Sequence, residues 1–393
     1  MLLDSTPQLR AVQFGAGNIG RGFLAQLFYE SGFEVIFVDV ADAVVDLLNA
    51  RGEYSIHIVG EGAEEVLVRG VRAVNGKRVA VVAEEIANAA VLCTAVGANA
   101  LPYIAPALAE GLLLRHKTNG STVNILLCEN LHDASTFLRN HVAKHLPDES
   151  REAILAKTGF VQAVVSRMVP VQTEADRAQD PLAISVEAYK RLPIDANALV
   201  GALPEIVGVV AVPNFLAYVE RKLYTHNCAH AVLGYVGHAK GYQYGYEALQ
   251  DPAILALLTA VMQETGAALI RKHGFDPAQH QAHIADLLKR FENRALGDTC
   301  LRLARDPLRK LAPEDRLVGA ARLCESQEVS PAATAQAIAY ALHHNDPADP
   351  ATVRLQERIA NEGLERALRE VCGILSGEGL YGLVTRNYTA LEN

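Results

Sequence analysis

No disulfide framework is written into these 393 residues. The six cysteines (Cys93, Cys128, Cys228, Cys300, Cys324, Cys372) are scattered, with no CxxC pair and no spacing of a secreted scaffold, so reduced thiols in a cytoplasmic setting are expected. Basic charge is also lacking: Lys and Arg total 36 against 45 Asp and Glu, a formal net charge of −9. That balance argues against general nucleic-acid or anionic-membrane partners and leaves room only for a local basic patch holding a small anion. The opening MLLDSTPQLR has no basic segment followed by an apolar one, so no leader is expected. No run reads as apolar enough over a bilayer's width, so no membrane partner is expected. Low-complexity tracts and internal repeats are absent. What remains is a soluble-type composition, 50% hydrophobic and 21% charged, long enough for two domains built around small-molecule chemistry.

The positive signal begins at Ala11–Gly22, AVQFGAGNIGRG, where an apolar strand runs into Gly15-x-Gly17-x-x-Gly20. Gly15 suits a tight turn, Gly17 a close approach of backbone to pyrophosphate, and Gly20 close packing of helix on strand. The next apolar run, Phe33 to Val38, ends in Asp39. A carboxylate about 20 residues past the glycines accepts hydrogen bonds from the adenosine ribose and repels a 2′-phosphate, so NAD is expected rather than NADP. Ordinary strand-to-helix connections also use glycine, but here strand, glycines, helix, second strand and acid fall in register. The candidate cofactor segment is Phe14, Gly15, Ala16, Gly17, Asn18, Ile19, Gly20 and Arg21, with Asp39.

Strand and helix patterns alternate through the first third. Ala11–Phe14, Val35–Val38, Ala90–Thr94 and Val123–Cys128 read as strands, with helical patterns at Ala41–Ala50 and Tyr103–Leu114. The fold class is α/β, a Rossmann-type parallel sheet covered by helices. Tyr54–Val59, Glu65–Val68 and Arg78–Val82 read as extra strands, and Phe160–Met168 and Ala183–Tyr189 as further ones. From about Asn214 apolar residues recur every three or four positions, so the second part is mainly α-helical, opening with Asn214 as a helix cap. The boundary is expected near residue 203, giving a nucleotide domain over 1–203 and a substrate domain over 204–393.

Substrates of such folds sit beyond the carboxyl ends of the strands. Thr94, Ala95, Val96 and Gly97 follow one strand and are small enough to pass close to a cofactor. Asn130, after Cys128-Glu129, could donate to a substrate oxygen. The helical pattern over Asn214–Gly241 carries Lys222, Asn227 and His230. On an ideal α-helix, Asn227 lies about 140° and His230 about 80° around from Lys222, with His230 about 12 Å along the axis. Three readings compete. Lys222 could be a general base with Asn227 and His230 as hydrogen-bonding partners. Tyr218 and Lys222 could form a short-chain-dehydrogenase pair, although that family has a different glycine spacing and a shorter chain. His226 and His230 could bind zinc, although no third ligand is evident and the HExxH glutamate is missing.

The segments FGAGNIGRGF at Phe14–Phe23 and VERKLYTHNCAHA at Val219–Ala231 resemble the polyol-specific long-chain dehydrogenase family, as do TAVG at Thr94, CEN at Cys128, RFEN at Arg290 and DPLRKL at Asp306. The resemblance covers nearly the whole chain from about Leu9. It implies metal-free, reversible hydride transfer between NAD and a sugar-alcohol phosphate, linking D-mannitol 1-phosphate to D-fructose 6-phosphate. It further implies Lys222 as acid/base, Asn227 and Asn130 polarising the reacting oxygen, His230 orienting substrate, and a monomer. Its alternatives are an unphosphorylated polyol or hexuronate as substrate and, in another class, a noncatalytic NAD-binding sensor. A phosphate needs cations, and Lys289–Arg322 holds nine Lys or Arg against five Asp or Glu. Arg302, Arg305, Arg309 and Lys310 are the candidates. Three departures stand out: Asn293-Arg294 replaces the family's Asn-Pro; His226, Cys228 and Ala229 replace residues expected to be smaller, apolar or glycine-like; and Val219 occupies the place of a glutamate found three residues before the lysine in some relatives, with Glu220 one step off.

Overall fold

A computed structural model describes residues 8–118, 120–170 and 172–392; the opening segment read above lies largely outside them, at residues 1–7. Two compact units divide the chain, one ending at Phe215 and the other starting at Leu216.

The first unit carries the described strands: β1 (Arg10–Phe14), β2 (Glu34–Asp39), β3 (Glu53–Ile58), β4 (Glu64–Arg69), β5 (Val71–Asn75), β6 (Val91–Thr94), β7 (Val123–Leu127), β8 (Thr158–Gln162), β9 (Ile184–Val186), β10 (Leu192–Asp195) and β11 (Val209–Val212). Six of them form one sheet in the order β5-β2-β1-β6-β7-β8, parallel throughout. Burial on both faces explains why these strands read as nearly unbroken apolar runs. In β2, Val35 and Phe37 enter the core on one face while Ile36 and Val38 enter the core on the other. The two-residue period thus assigns each side chain to its layer. A smaller sheet, β4-β3-β9, and a parallel pair, β10-β11, complete the unit. Pairing of β11 with β10 keeps the chain in this unit past residue 203.

Three expectations need correction. Arg78–Val82 is not a strand: it leads into the helix Val79–Asn88, whose Val82, Ala83, Ile86 and Ala87 form one buried face. The strand in that region is β5, just upstream. In Phe160–Met168 the strand stops at Gln162. Finally, the helix Pro252–His273 is, by length and composition, apolar enough to cross a bilayer, contrary to the reading above. Its Ile254, Leu258, Val261, Met262, Ala268 and Leu269 are buried within the second unit, and Glu264 accepts hydrogen bonds there from the Ala333 and Thr334 amides.

The second unit is helical, with no strand among its described residues. Its opening stretch is Phe215–Arg221, a π-helical turn over Lys222–Asn227, and Cys228–Ala239. Cys228 to Gly237 is buried at every position except His230. The long helix is set by Asp251, whose side chain accepts from the Ala253 and Ile254 amides, by Pro252 in its first turn, and by Gly274 in a left-handed cap.

Candidate active site

In the first unit the glycine turn is closed on the protein side and open outward. Gly15 has φ 91° and donates its N–H to Val38 at 2.8 Å, and a side chain there would meet the Ala95 carbonyl at 2.5 Å. A methyl group on Gly20 would lie 2.0 Å from the Gly15 carbonyl. Gly17 is the opposite case: it is exposed, with nothing within 4 Å of where a Cβ would sit, as a phosphate-approach position requires. Asn18 is exposed beside it, Ile19 packs on the sheet core, and Phe14 and Ala16 are buried. Arg21 is committed inward: Nε donates to the Ala16 carbonyl at 2.6 Å, and Nη1 to those of Pro181 at 3.1 Å and Leu182. Burial lowers its pKa from the usual arginine value.

Asp39 closes β2 and is tied to the turn. One carboxylate oxygen accepts the Ala16 N–H at 2.7 Å and the other the Ala41 N–H at 3.0 Å. A carboxylate has about four acceptor positions, so two remain for ribose hydroxyls. Open Gly17, crowded Gly15 and Gly20, and this acid together fit NAD.

The carboxyl ends of β6 and β7 are joined by a residue that sequence reading passed over. Glu129, buried, accepts the Thr94 hydroxyl at 2.7 Å on one oxygen and the Val96 N–H at 2.9 Å on the other. Burial raises its pKa above the usual carboxyl range, against the lowering effect of the Thr94 and Val96 hydrogen bonds. Ala95 and Val96 are half-buried, Gly97 is exposed with φ 85°, and Asn130 is exposed. Nothing in the spacing of Cys128-Glu129-Asn130 marks the glutamate; only the neighbouring strand ends reveal it.

In the second unit the π-helical turn changes the geometry expected of an α-helix. The Cys228 N–H donates to the Leu223 carbonyl, five residues back. Residues five apart are separated by about 50° in such a turn rather than the roughly 140° of an α-helix, which brings Lys222 and Asn227, its first and last residues, towards one side. His230 follows on the next turn, where its ring packs 4.3 Å from Phe291 and 4.8 Å from His226. Burial, reinforced by Arg290, Arg302, Arg316 and Lys310, pushes the His230 pKa down to about 3. Burial also holds His226 well below the usual value, aided by His230, Arg290 and Lys222. Both imidazoles are therefore neutral near pH 7, suited to hydrogen bonding rather than to carrying charge.

The alternative partners of Lys222 are engaged elsewhere. The Tyr218 ring lies under the Arg221 guanidinium at 4.6 Å and meets Phe275 edge-on at 5.8 Å. Glu220 pairs with Lys272 at 2.8 Å and His273 at 2.6 Å. Among the phosphate candidates, Arg302 pairs with Asp298, Arg309 with Asp306 at 2.9 Å, and both are exposed, as is Arg305. Lys310 differs: it is buried, its ammonium donating to the Leu303 carbonyl at 2.5 Å and to that of Arg305, 5.7 Å from the centre of the Tyr235 ring. Burial pushes its pKa down to about 7. The cationic segment thus offers surface arginines and one lysine spent on the backbone. Arg294, the departure from Asn-Pro, lies 5.5 Å over the Tyr246 ring.

A parallel sheet with an NAD-type glycine turn, followed by a helical unit bearing lysine, asparagine and a neutral histidine, defines a nicotinamide-dependent dehydrogenase. The model of the mannitol dehydrogenase Rossmann domain matches residues 9–208, and that of the mannitol dehydrogenase C-terminal domain matches residues 214–391. The chain belongs to the mannitol dehydrogenase family. A mannitol-1-phosphate 5-dehydrogenase of Brevibacillus brevis is 41% identical over 382 residues, covering 97% of this chain and 98% of its own length. One of Bacillus subtilis is 38% identical over 96% of this chain and 98% of its own. Among solved structures, the fold is shared with Pseudomonas fluorescens mannitol 2-dehydrogenase in ternary complex with NAD and D-mannitol, at TM-score 0.73 and 17% identity, covering 99% of this chain and 93% of that one. A D-sorbitol dehydrogenase in substrate-free form matches at TM-score 0.83 and 15% identity, covering 98% and 93%.

Proposed function

We propose that this chain is an NAD-dependent mannitol-1-phosphate 5-dehydrogenase, oxidising D-mannitol 1-phosphate reversibly to D-fructose 6-phosphate. The observation that carries this reading is the relationship to enzymes of that name across both units, at about 40% identity over nearly the full length. Bound NAD supplies the hydride acceptor. Lys222 takes the proton from the reacting hydroxyl, and returns it in the reverse direction. Asn227, towards the same side of the helix, donates its amide to the oxygen as negative charge develops, with Asn130 as a second donor. His230, neutral, exchanges hydrogen bonds with a neighbouring hydroxyl. Arg302, Arg305 and Arg309 are the cations proposed for the phosphate, because guanidinium binds phosphate through two N–H groups at once. The proton chemistry is assigned to side chains without a metal. The enzyme is further proposed to be a cytoplasmic monomer, in keeping with six buried cysteines outside any disulfide and a formal net charge of −9.

The test is NADH consumption with fructose 6-phosphate and with fructose. Preference for the phosphate is expected, and preference for the free sugar would remove the phosphate assignment. Binding of NADH without turnover on either would favour a sensor. Activity is expected to survive prolonged chelation; loss restored by zinc would overturn the metal-free assignment.

A further inference from the structure

We infer that Glu129 is a positioning residue for the nicotinamide half of the cofactor site, its carboxylate locking the end of β7 to the segment after β6 that braces the glycine turn. The inference rests on the NAD-dependent reading above. Thr94 ends β6 opposite Leu127 of β7, and Glu129 lies two residues beyond Leu127. One carboxylate oxygen holds the Thr94 hydroxyl at 2.7 Å and the other the Val96 N–H at 2.9 Å, so a single side chain fixes both neighbours of Ala95. Ala95 is where the brace meets the turn. Its N–H donates to Phe14 at 2.9 Å, and its carbonyl closes the space beside Gly15, 2.5 Å from where a Cβ would be. The bond from Ala95 to Phe14 holds that wall without help from Glu129, so losing the carboxylate frees the Thr94 hydroxyl and Val96, on the side away from the turn, and leaves the pyrophosphate wall in place.

Strand order says which half of the cofactor this governs. Asp39 ends β2 and the glycines follow β1, with β6 and then β7 next in the sheet. A dinucleotide with its adenosine ribose at β2 and its pyrophosphate at β1 carries its nicotinamide end outward over β6 and β7. A buried carboxyl contributes little net stability compared with an apolar side chain of similar size. What this one supplies is fixed geometry where the ring must be aligned with the reacting carbon, and alignment to within about 1 Å matters for rate.

The experiment uses the full chain and two ligands: NADH, followed by its fluorescence, and ADP-ribose, which lacks the nicotinamide, followed by calorimetry. For Glu129→Ala, NADH binding is expected to weaken about tenfold, the scale of one or two lost hydrogen bonds to a charged group, with ADP-ribose within about twofold of the parent. Glu129→Gln, which keeps one acceptor oxygen, should recover part of the loss, and Thr94→Val should reproduce part of it. Should Glu129→Ala fail to fold, Glu129→Gln and Thr94→Val carry the same comparison. Equal weakening of both ligands would mean a general loosening of the unit and would overturn the proposal, as would unchanged NADH binding. A parent chain that binds neither ligand would instead overturn the NAD reading itself, a failure visible before any substitution.

Discussion

Lys222 and Asn227 are the first and last residues of one π-helical turn, which brings them to within about 50° of each other around the helix. In an uninterrupted α-helix the same two residues would point about 140° apart. The extra residue in the turn changes the phase of everything after it, and His230, three residues beyond the turn, packs its ring 4.3 Å from that of Phe291.

If Lys222 is the base, Lys222→Ala should lower kcat with fructose 6-phosphate by about 10²–10⁴, the range of general acid–base catalysis. Asn227→Ala should cost about 10²–10³, the scale of one donor to a developing oxyanion. NADH titration should show affinity nearly unchanged in both. Tyr218→Phe should be mild, because its ring is engaged with Arg221 and Phe275. A Tyr218→Phe loss equal to that of Lys222→Ala would restore the short-chain pairing.

Much of the first unit is legible in the sequence, because a doubly covered parallel sheet demands apolar strands and a nucleotide turn demands glycines at fixed spacing. Arg78–Val82 failed for a physical reason: four apolar residues in a row suit a buried strand or the start of a helix, and only Ile86 and Ala87 one turn later settle it. β5 was missed because Arg72 interrupts its pattern, a residue paired with Glu34 and Glu85. The π-helical turn shifts the side-chain phase by a residue, but Cys228 to Gly237, buried at every position except His230, has no one-sided apolar stripe in which that shift would show. Lys310 looked like a phosphate ligand by its charged neighbours, whereas packing beneath Tyr235 decides where its ammonium goes.

Asp39 has two duties, and its replacement should show both. Its oxygens hold the Ala16 and Ala41 amides, so Asp39→Ala loosens the turn as well as removing the ribose acceptor. NAD affinity should fall about tenfold or more, the scale of lost hydrogen bonds to a charged group. The preference for NAD over NADP should fall with it, because the carboxylate no longer repels a 2′-phosphate. Steady-state kinetics with both cofactors checks this, and an unchanged ratio would remove Asp39 from the discrimination.

Lys310 and Arg302 should separate by readout. Lys310→Met leaves the Leu303 and Arg305 carbonyls without their ammonium and should cost about 1–3 kcal/mol in urea unfolding, with little change in KM for fructose 6-phosphate. Arg302→Ala should do the reverse, raising KM for the phosphorylated sugar by about tenfold while stability holds. Interchanged results would return Lys310 to the phosphate site.

The buried histidines give the second unit a defined acid response. His230 is pushed down to about 3, and His280 and His344 to about 4, in each case chiefly by burial. His280 and His344 are nearly inaccessible, and among the described residues neither ring nitrogen of either has a hydrogen-bond partner. The unfolded chain takes up a proton at each histidine near pH 6.5, while the native state refuses it until about pH 4 or below. Because the unfolded state then binds more protons, stability must fall as pH drops from about 6.5 towards 4, by up to about 1.4 kcal/mol per pH unit for each such group. Urea unfolding at pH 7, 6 and 5 measures the slope. His280→Leu should flatten it by about one proton's worth, since it removes a single site that protonates only on unfolding. A parent stability that stays level or rises over this window would show that these imidazoles are charged in the native protein.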